Sequence, residues 1–282
     1  MSRSAQSAAV VIAQHGQAHR FTGRRTIMDH GEIEVRGGVG EPASPADRVV
    51  VQELGTILSV WAHPDDESYC CAGLMAAAVD NGQRVVCVTA TRGEQGSTDP
   101  ARWPAGPQLA SIRTAELQKC LAELGVVDHR WLDYPDGGCA DVNQAEAVAR
   151  VRAIVDQMRP DTVLTFGPDG RTFHTDHMAV SRWVAEAVAG SAIDVFHVAN
   201  TVEWIELVAQ RLDPAALMMD DRQPSPVPGE LCPLRIVLDG DGLDRKYRAM
   251  LHQQSQIGPL LELGGPDFYR ALLAEEAFTR AR

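Results

Sequence analysis

Leu58-Ser-Val-Trp-Ala-His63-Pro-Asp65-Asp66-Glu67 decides how this chain is read. The first half is apolar and β-prone, and it reads as a strand buried on both faces. The second half sets one imidazole and three carboxylates just past the strand end, with Pro64 forcing a turn. Three adjacent acids repel one another, so a positive partner is expected among them, and a divalent metal supplies it.

Outward from this stretch, strand and helix patterns alternate from about residue 55 to 200. Thr56–Ala62 is the first strand and Tyr69–Asp80 the first helix, closed by Asn81-Gly82. Arg84–Thr91 is the second strand, and Leu109–Leu124 the second helix, ended by Gly125. His129–Tyr134 follows as a strand, then a helix to Met158 that Asp141 caps with Gln144. Thr162–Phe166 is the fourth strand; a helix runs from His174 to Val188, and Asp194–Asn200 is the fifth strand. The pattern predicts an α/β fold, a doubly wound, mostly parallel, Rossmann-like sheet with helices on both faces. Residues 201–240 are irregular, with Arg235–Leu238 as an edge strand. Leu243–Gln254 and Pro266–Ala281 are expected as closing helices. Residues 1–50 carry no sustained period and read as a poorly ordered extension, with one strand near Glu32–Arg36. Residues 51–282 read as one domain.

Ligands of an open parallel sheet sit beyond the carboxyl ends of its strands. Four polar clusters fall there: His63–Glu67, Arg92–Gln95, Asp133–Asp136 and Asp169–His177. A dinucleotide site would need glycines after the first strand, where this chain has a bulky, acidic, proline-containing turn. A catalytic zinc takes three His or carboxylate ligands at about 2.0–2.2 Å and a water. His63, Asp66 and His177 can supply them, one zinc per chain. Asp65 is then left beside the metal as a general base. His174, one helical turn before His177, is placed to steady an oxyanion. Asp176 can hold a ligand ring by its far nitrogen.

The chain has 282 residues and a formal net charge of −12, with 38 acidic against 26 basic residues. That balance, with no basic cluster, argues against nucleic acid and anionic membranes as partners. Six cysteines show no CxxC spacing, so free thiols in a reducing cytoplasm are expected. No run reaches the ~18 apolar residues of a membrane span. Association into a homo-oligomer is left open.

Ala62-His-Pro-Asp-Asp-Glu67, Thr91-Arg-Gly-Glu-Gln-Gly96, the Arg113-x-x-Glu116-Leu117 helix, Asp133-x-Pro-Asp-Gly137 and His174-x-Asp-His177 resemble the PIG-L/LmbE-like de-N-acetylases. The likeness covers about residues 55–200 and continues weakly through Leu251–Gln256. It implies a zinc-dependent hydrolase that removes an acetyl group from an N-acetylglucosamine-type conjugate, a small-molecule substrate. It carries the metal to His63, Asp66 and His177, the base to Asp65, and amide polarisation to His174. Sugar contacts fall on Arg113, Glu94 and Asp136. Thr175 stands where the family has proline, and Thr172-Phe173 where some members have a tyrosine. The alternatives are an amidase on a thiol-sugar conjugate, a non-catalytic zinc-containing carbohydrate-binding homologue, and a two-metal phosphoesterase.

Overall fold

The computed structural model describes residues 50–281 and two short strands before them, β1 (Ala13–Gln14) and β2 (Gln17–Ala18), which pair antiparallel. The strand expected near Glu32–Arg36, and His15, His19 and His30, lie outside the described residues.

Five strands, β3 (Ile57–Trp61), β4 (Val85–Thr91), β5 (Asp128–Tyr134), β6 (Thr162–Phe166) and β7 (Asp194–Val198), run parallel. Two more, β8 (Leu234–Val237) and β9 (Glu275–Arg280), extend the sheet, in the order β5-β4-β3-β6-β7-β9-β8. β9 is antiparallel to both of its neighbours. Every residue of β3, β4 and β6 is buried, as expected of parallel strands covered on both faces. The connections are helical: α1 (Asp66–Asp80), α2 (Pro107–Leu124), α3 (Gln144–Met158) and α4 (Thr175–Ala187). After β7 come α5 (Val202–Ala209), α6 (Gly240–Leu251) and α7 (Gln254–Leu273). α3 packs on α4, while α6 packs on both α1 and α2. Trp61, Phe166, Trp183, Phe196 and Phe278 fill the core, and the Trp61 and Phe166 rings meet edge to face at 4.9 Å. β4 and β6 flank β3 on opposite sides, so the chain reverses its direction of travel across the sheet at β3/β6. That is where a doubly wound sheet opens a crevice.

Three local expectations are corrected. Asn143, not Asp141, caps α3, accepting from Glu146 N at 3.2 Å, and the Gln144 amide donates to the Cys139, Ala140 and Val142 carbonyls instead. Residues 275–280 form a strand, because the slot between β7 and β8 offers pairing on both edges and outweighs local propensity. α1 starts at Asp66 rather than Tyr69, so two acids occupy its first turn, where the helix dipole favours them.

α1 is also broken at Cys71 (φ −151°, ψ 20°). The amides freed by the break, Gly73 N and Leu74 N, donate to the Glu276 carboxylate at 2.7 and 2.8 Å. Lys246 Nζ completes the arrangement, 2.8 Å from Glu276 and 3.1 Å from the Tyr69 carbonyl; both charged side chains are fully buried.

Candidate metal centre

The end of β3 delivers His63, and the loop after β6 delivers His174 at the N-cap of α4 and His177 in its first turn. β3 and β6 are hydrogen-bonded neighbours, so residues 114 apart in sequence meet. His63 Nδ1 lies 3.1 Å from His177 Nε2. The Asp66 carboxylate closes the triangle, Oδ2 at 3.5 Å from His63 Nδ1 and Oδ1 at 3.4 Å from His177 Nε2. Ligands at about 2.0–2.2 Å from a tetrahedral ion stand about 3.3–3.6 Å apart; both Asp66 edges fall in that range, and the His63–His177 edge is slightly shorter.

The far nitrogens fix the tautomers. His63 Nε2 faces Asp136 Oδ1 at 3.1 Å and Asp176 Oδ2 at 3.2 Å, so it carries the proton. His177 Nδ1 faces the Gly170 carbonyl at 2.9 Å and is protonated for the same reason. Gly170 sits at φ 64°, and a Cβ there would meet His177 Cβ at 2.8 Å, so this approach requires glycine. With both far nitrogens donating, two lone pairs point at each other across 3.1 Å beside a carboxylate. A cation accepted by both nitrogens relieves that contact, as a second proton on His63 would in its absence. The carboxylates around His63 favour positive charge at this spot, whether a proton or a metal ion carries it. Burial lowers the His63 pKa, but Asp136, Asp176 and Asp66 outweigh it and raise it well above its usual value. Burial pushes His177 down to about 4. Burial opposes ionisation of Asp66, yet the two histidines hold it at about 2.

Two other groups place donor atoms within 4.8 Å of one another: His63 with His174 and His177, and His63 with Asp136 and Asp176. His174 is a poor third ligand, because its Nδ1 accepts from Asp176 N at 3.1 Å, which puts the ring proton on Nε2. In the second group the carboxylates already have donors. Asp176 accepts from Gly137 N at 2.7 Å and Cys139 N at 3.0 Å, and Asp136 from Gln95 N at 2.7 Å.

Asp65 has φ 135°, outside the usual range of a non-glycine residue; such strain is often found at functional positions. Its side chain lies 3.3 Å from Arg113 Nη2. Burial pushes its carboxyl up to about 7, against the pull of Arg113. Arg113 is itself buried and also donates to the carbonyls of Gly93 at 3.0 Å and Pro64 at 2.6 Å. A Cβ on Gly93 or on Gly96 would meet its guanidinium at 2.4 Å, which explains both glycines of the Thr91–Gly96 stretch.

The three residues assigned to sugar contacts stand differently. Arg113 borders the cavity, with most donors committed to the Asp65 turn. Asp136 is corrected: its side chain is fully buried behind His63 and does not line the cavity. Glu94 does not line it either; its Oε1 accepts from Asp136 N at 2.9 Å, and Oε2 is buried without a partner.

The centre is the floor of a cavity of about 180 Å³. Its walls hold residues the sequence reading passed over, among them Arg171, Asn200, Trp204 and Gln256. Trp61, in the strand before the site, is core. Arg171 lies inside the Asp169–His177 cluster and Gln256 ends the Leu251–Gln256 stretch, but neither was singled out as a site residue. The six cysteines are unpaired and buried. Among the described residues no helix is long and apolar enough to cross a membrane.

The profile of the GlcNAc-PI de-N-acetylases, PIG-L, matches residues 58–188. The 1D-myo-inositol 2-acetamido-2-deoxy-alpha-D-glucopyranoside deacetylase of Saccharomonospora viridis is 35% identical over 196 residues, which are 62% of this chain and 72% of that protein. Its namesake from Streptomyces scabiei is 36% identical over 180 residues, 54% of this chain and 52% of that protein. Among solved structures, the N,N'-diacetylchitobiose deacetylase of Pyrococcus horikoshii superposes with a TM-score of 0.59 at 19% identity, covering 82% of this chain and 85% of that one. That likeness speaks for the shared fold.

Proposed function

Since the chain belongs to the family of GlcNAc-PI de-N-acetylases, we propose that it is a zinc-dependent hydrolase that removes the acetyl group from an N-acetylglucosamine-type conjugate. The carrying observation is the 3.1 Å approach of His63 Nδ1 to His177 Nε2, with both far nitrogens engaged as donors and Asp66 beside them.

His63, Asp66 and His177 hold the cation. When bound, such an ion polarises the amide carbonyl and acidifies a water beside it. Asp65 accepts a proton from the attacking water and returns it to the amine nitrogen as the C–N bond breaks. His174 donates from Nε2–H to the carbonyl oxygen as negative charge builds there. Its Nδ1 is occupied by the Asp176 amide, so the neutral ring already presents that proton. Asp176 and Asp136 keep His63 in the tautomer that turns Nδ1 inward. Arg113 holds the Asp65 turn, with Glu94 bracing Asp136.

Residues 51–282 act as one domain, since the cavity draws side chains from residue 63 to residue 272. The unpaired thiols fit a reducing cytoplasm. The test is a panel of N-acetylglucosaminyl conjugates assayed for released primary amine, with zinc quantified in the same samples. Equimolar amine and acetate at one zinc per chain is the expected result. Zinc bound with no amine from any conjugate would favour a non-catalytic sugar-binding protein.

A further inference from the structure

One wall of the cavity is far more apolar than an acetyl group requires. Trp204 and Val208 from α5, Leu212 and Met218 from the segment after it, and Leu260 and Phe268 from α7 face the space above His177. The polar groups nearest this wall are committed to each other: Arg171 Nε donates to Asn200 Oδ1 at 2.9 Å, and Asn200 Nδ2 to the Arg171 carbonyl at 3.0 Å. Arg171 Nη1 also donates to Cys70 Sγ at 3.1 Å, and its guanidinium lies 5.3 Å from the Trp204 ring, so much of that charge is engaged within the protein. The six wall residues all lie beyond residues 58–188, the stretch matched by the family profile.

We infer that the substrate carries an apolar alkyl or aryl aglycone, bound against the face formed by α5, residues 212–218 and α7. This rests on the deacetylase reading above and deepens it. The cavity is continuous with the metal centre, so its occupant is part of the molecule whose amide is cut. The acyl group of that amide is an acetyl, and a single methyl covers only a small part of the wall. The remaining apolar surface therefore falls to the group on the sugar's anomeric carbon, the part of the substrate whose size the reaction leaves open. The polar side of the cavity, with Thr98 and Gln256, is left for the sugar hydroxyls.

The test compares methyl, octyl and phenyl glycosides of N-acetylglucosamine on the zinc-loaded full chain. Released amine gives kcat/KM, and calorimetry gives affinity. The octyl or phenyl glycoside should exceed the methyl glycoside at least tenfold, the gain from burying about two methylene groups. In the double variant Leu212→Ser/Leu260→Ser, both sites being half-buried, that ratio should fall below threefold. Equal kcat/KM for all three glycosides, with the methyl glycoside turned over, would overturn the inference and leave the deacetylase reading standing. A rate that climbs with N-acyl chain length instead would move the wall to the acyl side and also overturn it. If no glycoside releases amine, the deacetylase reading fails on its own. Calorimetry then decides the inference: tighter octyl than methyl binding supports the apolar wall, and equal affinities overturn it.

Discussion

Asp176→Asn tests the link between tautomer and metal most sharply. In the native protein Asp176 Oδ2 faces His63 Nε2 at 3.2 Å, while its two oxygens accept from Gly137 N and Cys139 N. An asparagine has one acceptor oxygen and one donor nitrogen in the same space. If the oxygen serves the loop amides, the NH2 confronts His63 Nε2–H, donor against donor. The ring is relieved by moving its proton to Nδ1, and that nitrogen then has no lone pair for a cation. Disturbing a carboxylate that orients a ligand histidine costs 10–100-fold in metal affinity, about 1.4–2.7 kcal/mol. Asp136 stands 3.1 Å from the same nitrogen and retains part of the orienting field, so the lower half of that range is expected. Asp136→Asn/Asp176→Asn should then lose more than the two single changes together. The assay is zinc competition against a calibrated chelator, with metal-free unfolding measured alongside to separate loss of fold from loss of ligation. An Asp176→Asn protein that is folded and binds zinc as tightly as the parent would refute the tautomer argument.

Other expectations follow from the same geometry. Asp65→Asn should keep its full zinc content while turnover falls 10²–10⁴-fold, read from amine release and metal analysis on one sample. Lys246→Met should destabilise the fold by about 3–5 kcal/mol in denaturant titration, because it strands the buried Glu276 charge. Adding Glu276→Gln should recover part of the loss, and no change in either variant would contradict the role given to this pair. Burial, reinforced by Arg92, holds His129 down at about 4, whereas an unfolded histidine titrates near 6.5. The folded state therefore takes up this proton later than the unfolded one. The His129 contribution to stability is full above about pH 6.5 and is lost as pH falls toward 4. His129→Gln should flatten that decline in melts across the window.

The five parallel strands and the meeting of His63 with His177 were legible because they depend on local signals: the apolar runs of β3, β4 and β6, the strand–helix alternation around them, and polar clusters just past the strand ends. Once the strands are parallel, the carboxyl-end rule brings those clusters together. What escaped depends on distant partners. The strand at 275–280 exists because β7 and β8 flank it, and nothing within Glu275–Arg280 announces those edges. The break at Cys71 needs Glu276, some 200 residues away, to take up the freed amides. Asp136, expected at the sugar, instead faces His63 Nε2, because spacing locates a residue at a loop but not the group its side chain approaches. The apolar wall was hidden for a related reason. Trp204 and Leu260 belong to different helices, and only their packing makes them one surface.

The position of the bound cation tests the account most directly. Anomalous diffraction at the zinc edge, from crystals grown with one equivalent of zinc, should give a single peak within about 2.2 Å of His63 Nδ1, His177 Nε2 and an Asp66 oxygen. A peak on the opposite side of that ring, held between His63 Nε2, Asp136 and Asp176, would contradict it.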